Sequence, residues 1–183
     1  MTALTPANQL TLLRMLLIPA FVILVVYGHL GWALVTFAVA GLTDALDGLI
    51  ARRSNQKSNL GAWLDPMADK LLLLTTFVVL TLPGLGLSNR LPIWLTVLIF
   101  SRDVVIVLTV AVVNLAIGPR TFRPSIFGKL ATATYIVTAV VAMFFNYRGY
   151  PSGVVAFFVW ASLAVTLISS LHYMWHVRQI IGA

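Results

Sequence analysis

The chain has 183 residues, of which 60% are hydrophobic and only 9% charged, and it contains no cysteine. A soluble domain carries roughly 25% charged residues, so the composition excludes an ordinary aqueous globule, while the missing cysteine excludes disulfides, thiolate metal sites and cysteine nucleophiles. Twelve Lys and Arg against five acidic residues give a formal charge of +7, which in so apolar a chain reads as loop charge facing anionic lipid, with no nucleic-acid partner.

A membrane-spanning helix takes about 20 apolar residues, so the length suits six spans and leaves no room for a separate soluble domain. The expected fold is therefore an all-α integral membrane protein with six transmembrane helices, forming one domain over 1–183. Thr5-Pro6-Ala7-Asn8 reads as a helix start, with room for a short N-terminal interfacial helix before a first span at 10–27. Residues 1–9 carry no Lys or Arg, unlike the basic flank of a signal peptide, so the first apolar segment is expected to remain as an anchor.

The second span is expected at 31–52 and the third at 60–82; the fourth at 92–117 holds Ser101-Arg102-Asp103, and the fifth and sixth follow at 125–145 and 153–175. His172 and His176 near the chain end are four apart, but no Glu accompanies them. With Tyr173 and Trp175 between them they read as an interfacial aromatic belt rather than a zinc site. Arg52, Arg53 and Lys57, then Arg120 and Arg123, then Arg178 fall on one side of this layout, against Arg90 and Arg148 on the other. The positive-inside rule accordingly sets both termini in the cytoplasm, or in the matrix if the membrane is organellar.

All five acids lie inside apolar segments: Asp44, Asp47, Asp65, Asp69 and Asp103. A carboxylate at the centre of a span costs on the order of 2.5–3.5 kcal/mol on insertion scales, and clustered carboxylates repel one another, so the cluster calls for a cation. Asp44 and Asp47 stand three apart with Ala51 on the same stripe, and Gly61, Asp65 and Asp69 are spaced by four. The short connection between the two helices makes them expected antiparallel neighbours whose stripes face each other.

Oxygen ligands without His or Cys favour hard cations such as Mg²⁺ or Mn²⁺. Two such ions among four carboxylates suit displacement at phosphorus, because they neutralise phosphate charge and stabilise the attacking and leaving oxygens. Gly48, Ala51 and Gly61 permit close approach of a ligand or backbone, and Arg52 can grip a phosphate. A cation transporter also buries acids, but it gains nothing from an arginine in its path.

The run Asp44-x-x-Asp47-Gly48-x-x-Ala51-Arg52 followed by Gly61-x-x-x-Asp65-x-x-x-Asp69 resembles, at every fixed position, the signature of the CDP-alcohol phosphatidyltransferases. The resemblance implies a homodimer of six-helix subunits with an active site open to the cytoplasm. It further implies that Asp44, Asp47 and Asp65 ligate a pair of divalent cations, and that Asp69 completes the metal site and is the catalytic base for the acceptor hydroxyl. Asp44, Asp47, Gly48, Ala51, Arg52 and Gly61 then embrace the CDP group of CDP-diacylglycerol. Asn8, Thr11 and Arg14 match an entry to the first helix found in one branch of the family, a resemblance that leaves Asn8 or Arg14 as candidates to touch the nucleotide; helix capping and membrane anchoring account for them as well.

The flanking residues resemble the branch of cardiolipin synthases and phosphatidylglycerophosphate synthases, whose acceptors are glycerol-type alcohols bearing a phosphate. Synthases acting on glycerol 3-phosphate usually carry Arg-Glu where this chain has Arg102-Asp103, and a second arginine where it has Val110. The departure favours phosphatidylglycerol as acceptor, with glycerol 3-phosphate as the alternative. Arg102, Arg120, Arg123 and Lys129 form a cationic set suited to the acceptor phosphate; an ion pair with Asp103 is the structural alternative for Arg102.

Overall fold

The computed structural model describes residues 6–54, 59–118 and 125–181, with side chains described except at 6–8, 44–54, 59–66, 116–117, 176 and 179–181. Six α-helices account for nearly all of them: α1 (Pro6–Val26), α2 (Leu30–Ser54), α3 (Asn59–Thr81), α4 (Ile93–Ile117), α5 (Ile126–Arg148) and α6 (Gly153–Ile181). The described residues contain no strand. Proline is tolerated at the first helical position because its missing N–H has no intrahelical partner there, and α1 runs unbroken from Pro6. No separate interfacial helix precedes it among the described residues.

Local chemistry sets the helix limits. Tyr27 and Gly28 turn the chain between α1 and α2, with Gly28 at φ 77°. The Ser125 hydroxyl caps α5 by accepting the Gly128 N–H at 3.0 Å. Gly149 closes α5 in the left-handed conformation, donating its N–H to the carbonyls of Phe145 and Asn146, as a helix C-cap requires. The apolar pattern predicts earlier ends for the last two helices, at 145 and 175. Apolar periodicity fades at Asn146 and His176, yet nothing breaks the backbone until Gly149 and the chain end.

Among the described residues, four helices contain stretches long and apolar enough to cross a membrane: Gln9–Val26 in α1, Ile93–Leu115 in α4, Ile126–Arg148 in α5 and Gly153–Trp175 in α6. In α2 an apolar stretch, Leu30–Thr43, lies among the residues whose side chains are described. The protein is thus an all-α integral membrane protein whose acids lie on α2, α3 and α4.

Small residues fill the helix interfaces and large ones face outward. Ala33, Ala40, Ala131, Ala139 and Ala142 are fully buried, whereas Leu16, Trp32, Ile93, Leu115 and Trp175 are exposed. Lipid drives no hydrophobic collapse between helices, so close backbone approach and interhelical hydrogen bonds must hold them. Phe21 against Phe37 and Phe77 edge-on to Tyr135 fill the wider gaps. Hydroxyl pairs join the helices directly: Thr81 with Thr96 at 2.7 Å, Thr138 with Ser162 at 2.8 Å, and Tyr135 with Thr166 at 2.6 Å.

The packing forms two rings that share the α3–α5 contact. One runs α1, α2, α5, α3; the other runs α3, α4, α6, α5. Among the described residues α2 and α3 each pack on α1 and α5; how their acid-bearing turns face each other, as expected from the short connection, lies outside the described residues.

At one end of the molecule Asn89 ties the α3–α4 connection to the α5–α6 connection. Its N–H donates to Asn146 Oδ1 at 2.7 Å, its Nδ2 donates to the Tyr150 carbonyl at 2.8 Å, and its Oδ1 accepts the Ser152 N–H at 2.8 Å. Gly31 at the start of α2 lies against the Tyr147 ring, which brings the α1–α2 turn to the same end. The start of α1, the ends of α2, α4 and α6 and the starts of α3 and α5 consequently lie at the opposite end.

Candidate active site

Asp44, Asp47, Gly48, Ala51 and Arg52 stand on the last turns of α2, and Gly61 and Asp65 on the first turns of α3. Their side chains, with that of Asn8, lie outside the described residues, as do Arg120 and Arg123 altogether. The described part of the site is built around Asp69, Arg14, Lys70, Asp103 and Arg102.

Asp69 projects from α3 with its side chain 44% exposed and forms an ion pair with Arg14 of α1, whose side chain is fully buried. An arginine in the interior of an apolar bundle is costly unless a carboxylate compensates it. The planar guanidinium is always charged and forms directional bonds, so it gives the Asp69 carboxylate both a countercharge and an orientation. Asp69 keeps a face open to the ring interior or solvent, as a group that must exchange a proton with a bound molecule requires.

One residue further along α3, Lys70 turns toward α4 instead. Its Nζ lies 3.2 Å from Asp103 Oδ2, and the other oxygen of Asp103 accepts from Arg102 Nη1 at 2.9 Å. Arg102 Nη2 donates to Ser169 Oγ on α6 at 2.7 Å. The Arg102 side chain is 9% exposed, and Gly128 at the start of α5 packs so closely that an added Cβ would stand 3.4 Å from its Nη2. Arg102 thus joins α4 to α6 and α5, and the expected pairing with Asp103 is present. Lys129 follows Gly128 on α5 and is exposed.

The cluster holds two cations, Lys70 and Arg102, on a single carboxylate. Sequence reasoning assigns no partner to Lys70 and does not find Ser169; the one available signal is that Asp103, buried in a span, needs a countercharge. His172 stacks near Phe127 with ring centroids 4.7 Å apart, in keeping with an aromatic belt. Among the described residues no three His, Cys, Asp or Glu side chains gather.

Residues 4–168 match the family model described as CDP-alcohol phosphatidyltransferase. The chain belongs to the CDP-alcohol phosphatidyltransferase family. A probable phosphatidylglycerophosphate synthase of Mycobacterium tuberculosis is 33% identical, over 96% of this chain and 83% of its own length. The cardiolipin synthase (CMP-forming) of Streptomyces coelicolor is 32% identical, over 98% and 86% respectively. Its human counterpart is also 32% identical, over 94% of this chain and 61% of the longer human protein.

This is accordingly an enzyme of phospholipid biosynthesis that acts on a CDP-linked alcohol. Membership also sets aside the cation-transporter alternative. The two named activities occur among relatives of nearly equal identity, so overall likeness does not choose between their acceptors.

Proposed function

We propose that this phosphatidyltransferase moves the phosphatidyl group of CDP-diacylglycerol to phosphatidylglycerol, forming cardiolipin and releasing CMP. The observation that carries the reading is Asp69, a half-open carboxylate in an apolar helix, oriented by a buried arginine and standing last in the family's acidic series. Asp103 and Val110 favour phosphatidylglycerol over glycerol 3-phosphate, the second acceptor.

Asp44, Asp47, Asp65 and Asp69 would hold two divalent cations, Mg²⁺ or Mn²⁺. The donor set fits: all oxygen, without soft ligands, and the one described member needs a cationic partner even in this chain alone. Bound there, the ions would neutralise the pyrophosphate and polarise the phosphorus under attack. Gly48, Ala51, Arg52 and Gly61 would seat the CDP group, with Asn8 near the nucleotide.

Asp69 accepts the proton of the acceptor hydroxyl while that oxygen bonds to the lipid-side phosphorus. The bond from this phosphorus to the bridging oxygen breaks, and the electron pair leaves with CMP. Arg102, Lys129, Arg120 and Arg123 hold the acceptor's phosphate. The loop charges favour a cytoplasmic active site and cytoplasmic termini, or the matrix equivalent, and the family resemblance supports a homodimer.

The decisive experiment incubates the purified protein with CDP-diacylglycerol, Mg²⁺ and either phosphatidylglycerol or glycerol 3-phosphate and follows CMP. Release that depends on phosphatidylglycerol is expected. Dependence on glycerol 3-phosphate alone would transfer the assignment to the second acceptor, and no release across a wider panel of alcohols would overturn the enzyme reading.

A further inference from the structure

A cavity of about 250 Å³ opens between α4 and α6, in the second ring, on helices other than the two that carry Asp44, Asp47, Asp65 and Asp69. Its walls include Leu98, Val105, Ile106, Leu167 and Met174, with Arg102 among them. The wall hydroxyls are already engaged: Ser101 donates to the Leu98 carbonyl, Ser170 to the Thr166 carbonyl, Tyr173 to the Ile106 carbonyl, and Thr166 pairs with Tyr135. Arg102 Nε differs, because it is buried and has no hydrogen-bond partner among the described residues.

A buried guanidinium nitrogen left without an acceptor is expensive. The charge around it is also unbalanced, since Lys70 and Arg102 share Asp103. An anionic oxygen would satisfy both. The remaining wall is aliphatic and lies between two membrane spans, with Val105, Leu167 and Met174 exposed on the outer faces of α4 and α6. A water-soluble phosphate ester has no use for such a surface, whereas a glycerophospholipid brings a phosphate and an acyl chain together.

We infer that this cavity is the entry and seat of the acceptor lipid, with its phosphodiester on Arg102 and one acyl chain against Val105, Ile106, Leu167 and Met174. The inference rests on the proposed transfer to phosphatidylglycerol and deepens it: the acceptor arrives sideways from the bilayer between α4 and α6. The chain Arg102, Asp103, Lys70 leads from the phosphate to the residue beside Asp69.

Two measurements test this on the full-length protein in nanodiscs. In the first, phosphatidylglycerol carrying a diazirine in its acyl chain is photolysed and adducts are mapped by mass spectrometry. Adducts on the 98–106 and 167–174 segments are expected, weakened by Arg102→Gln; equal labelling by a diazirine diacylglycerol, which lacks phosphate, would overturn the Arg102 contact. In the second, Leu167→Trp and, separately, Val105→Phe fill the cavity. Each should raise KM for dioleoyl phosphatidylglycerol roughly tenfold with kcat unchanged, the signature of lost uniform binding, while KM values for CDP-diacylglycerol and for dihexanoyl phosphatidylglycerol stay within about twofold.

Unchanged KM for the long-chain acceptor in both variants, with adducts elsewhere, would overturn the site while leaving transfer to phosphatidylglycerol standing. Adducts in the cavity without any turnover of phosphatidylglycerol would instead overturn the acceptor assignment and support a phospholipid site.

Discussion

Arg14 of α1, fully buried, is ion-paired with Asp69 of α3, whose carboxylate is only half-buried. The asymmetry assigns different tasks to the two partners. The arginine is fixed by its surroundings, while the carboxylate is held at one end and open at the other. That is a suitable arrangement for a group that must take a proton at a defined place.

Asp69→Asn keeps the shape of the side chain and an oxygen that can accept from Arg14, but removes the basic carboxylate. Turnover should fall to background while binding of CDP-diacylglycerol is largely retained, as measured by CMP release and by equilibrium binding of the nucleotide lipid. Near-normal turnover would remove Asp69 as the base.

Arg14→Met tests orientation rather than proton transfer. Misplacing a reacting group by about 1 Å costs on the order of 100-fold in rate, so kcat should drop by about 10–100-fold. Breaking a buried ion pair costs about 3–5 kcal/mol, but Asp69 is 44% exposed and solvent takes up much of its charge, so a stability loss of about 1–3 kcal/mol is expected. Arg14→Lys should recover most of the stability and little of the rate, because ammonium supplies charge without the planar geometry. A lysine variant with full kcat would show that charge alone suffices.

Much of this is legible in the sequence because the bilayer imposes simple rules. Runs of about 20 apolar residues mark spans, and acids inside them stand out against the background, which is why Asp44, Asp47, Asp65, Asp69 and Asp103 are recognisable from their setting in the chain alone. Their partners are not. Arg14 meets Asp69 across 55 positions and Asn89 meets Asn146 across 57, and no helical spacing rule links residues on different helices. Arg102 shows the same limit: its charge is plain, but whether it faces Asp103, a phosphate or both depends on how α4, α5 and α6 pack. That α2 and α3 both pack on α1 and α5 is likewise something a loop length does not report.

The metal proposal has its own test. Excess EDTA should abolish CMP release, with recovery on adding Mg²⁺ or Mn²⁺, since four clustered carboxylates otherwise repel one another and the pyrophosphate. Binding of Mn²⁺, followed by its electron paramagnetic resonance signal in the presence of CDP-diacylglycerol, should weaken in Asp69→Asn. Full activity in chelator would exclude a divalent cation from the reaction.

The Asn89 clasp should separate stability from chemistry. Asn89 and Asn146 are both buried, and together with Tyr150 and Ser152 they satisfy backbone groups of two connections that otherwise meet few partners. Asn89→Ala removes the partners of the Tyr150 carbonyl and the Ser152 N–H, which are only partly buried, so the loss should be about 1–3 kcal/mol in all rather than for each group. The variant should therefore unfold at a temperature several degrees lower. Asn146→Asp should lose at least as much, because it buries a carboxyl group and sets an oxygen against the Asn89 carbonyl where Nδ2 donates. Since the clasp lies at the end of the bundle away from the α2–α3 connection, kcat and KM at low temperature should match the parent in both variants. A large kinetic change with an unaltered melting temperature would mean that this end communicates with the acidic site through α3, and that the clasp is more than a fastening.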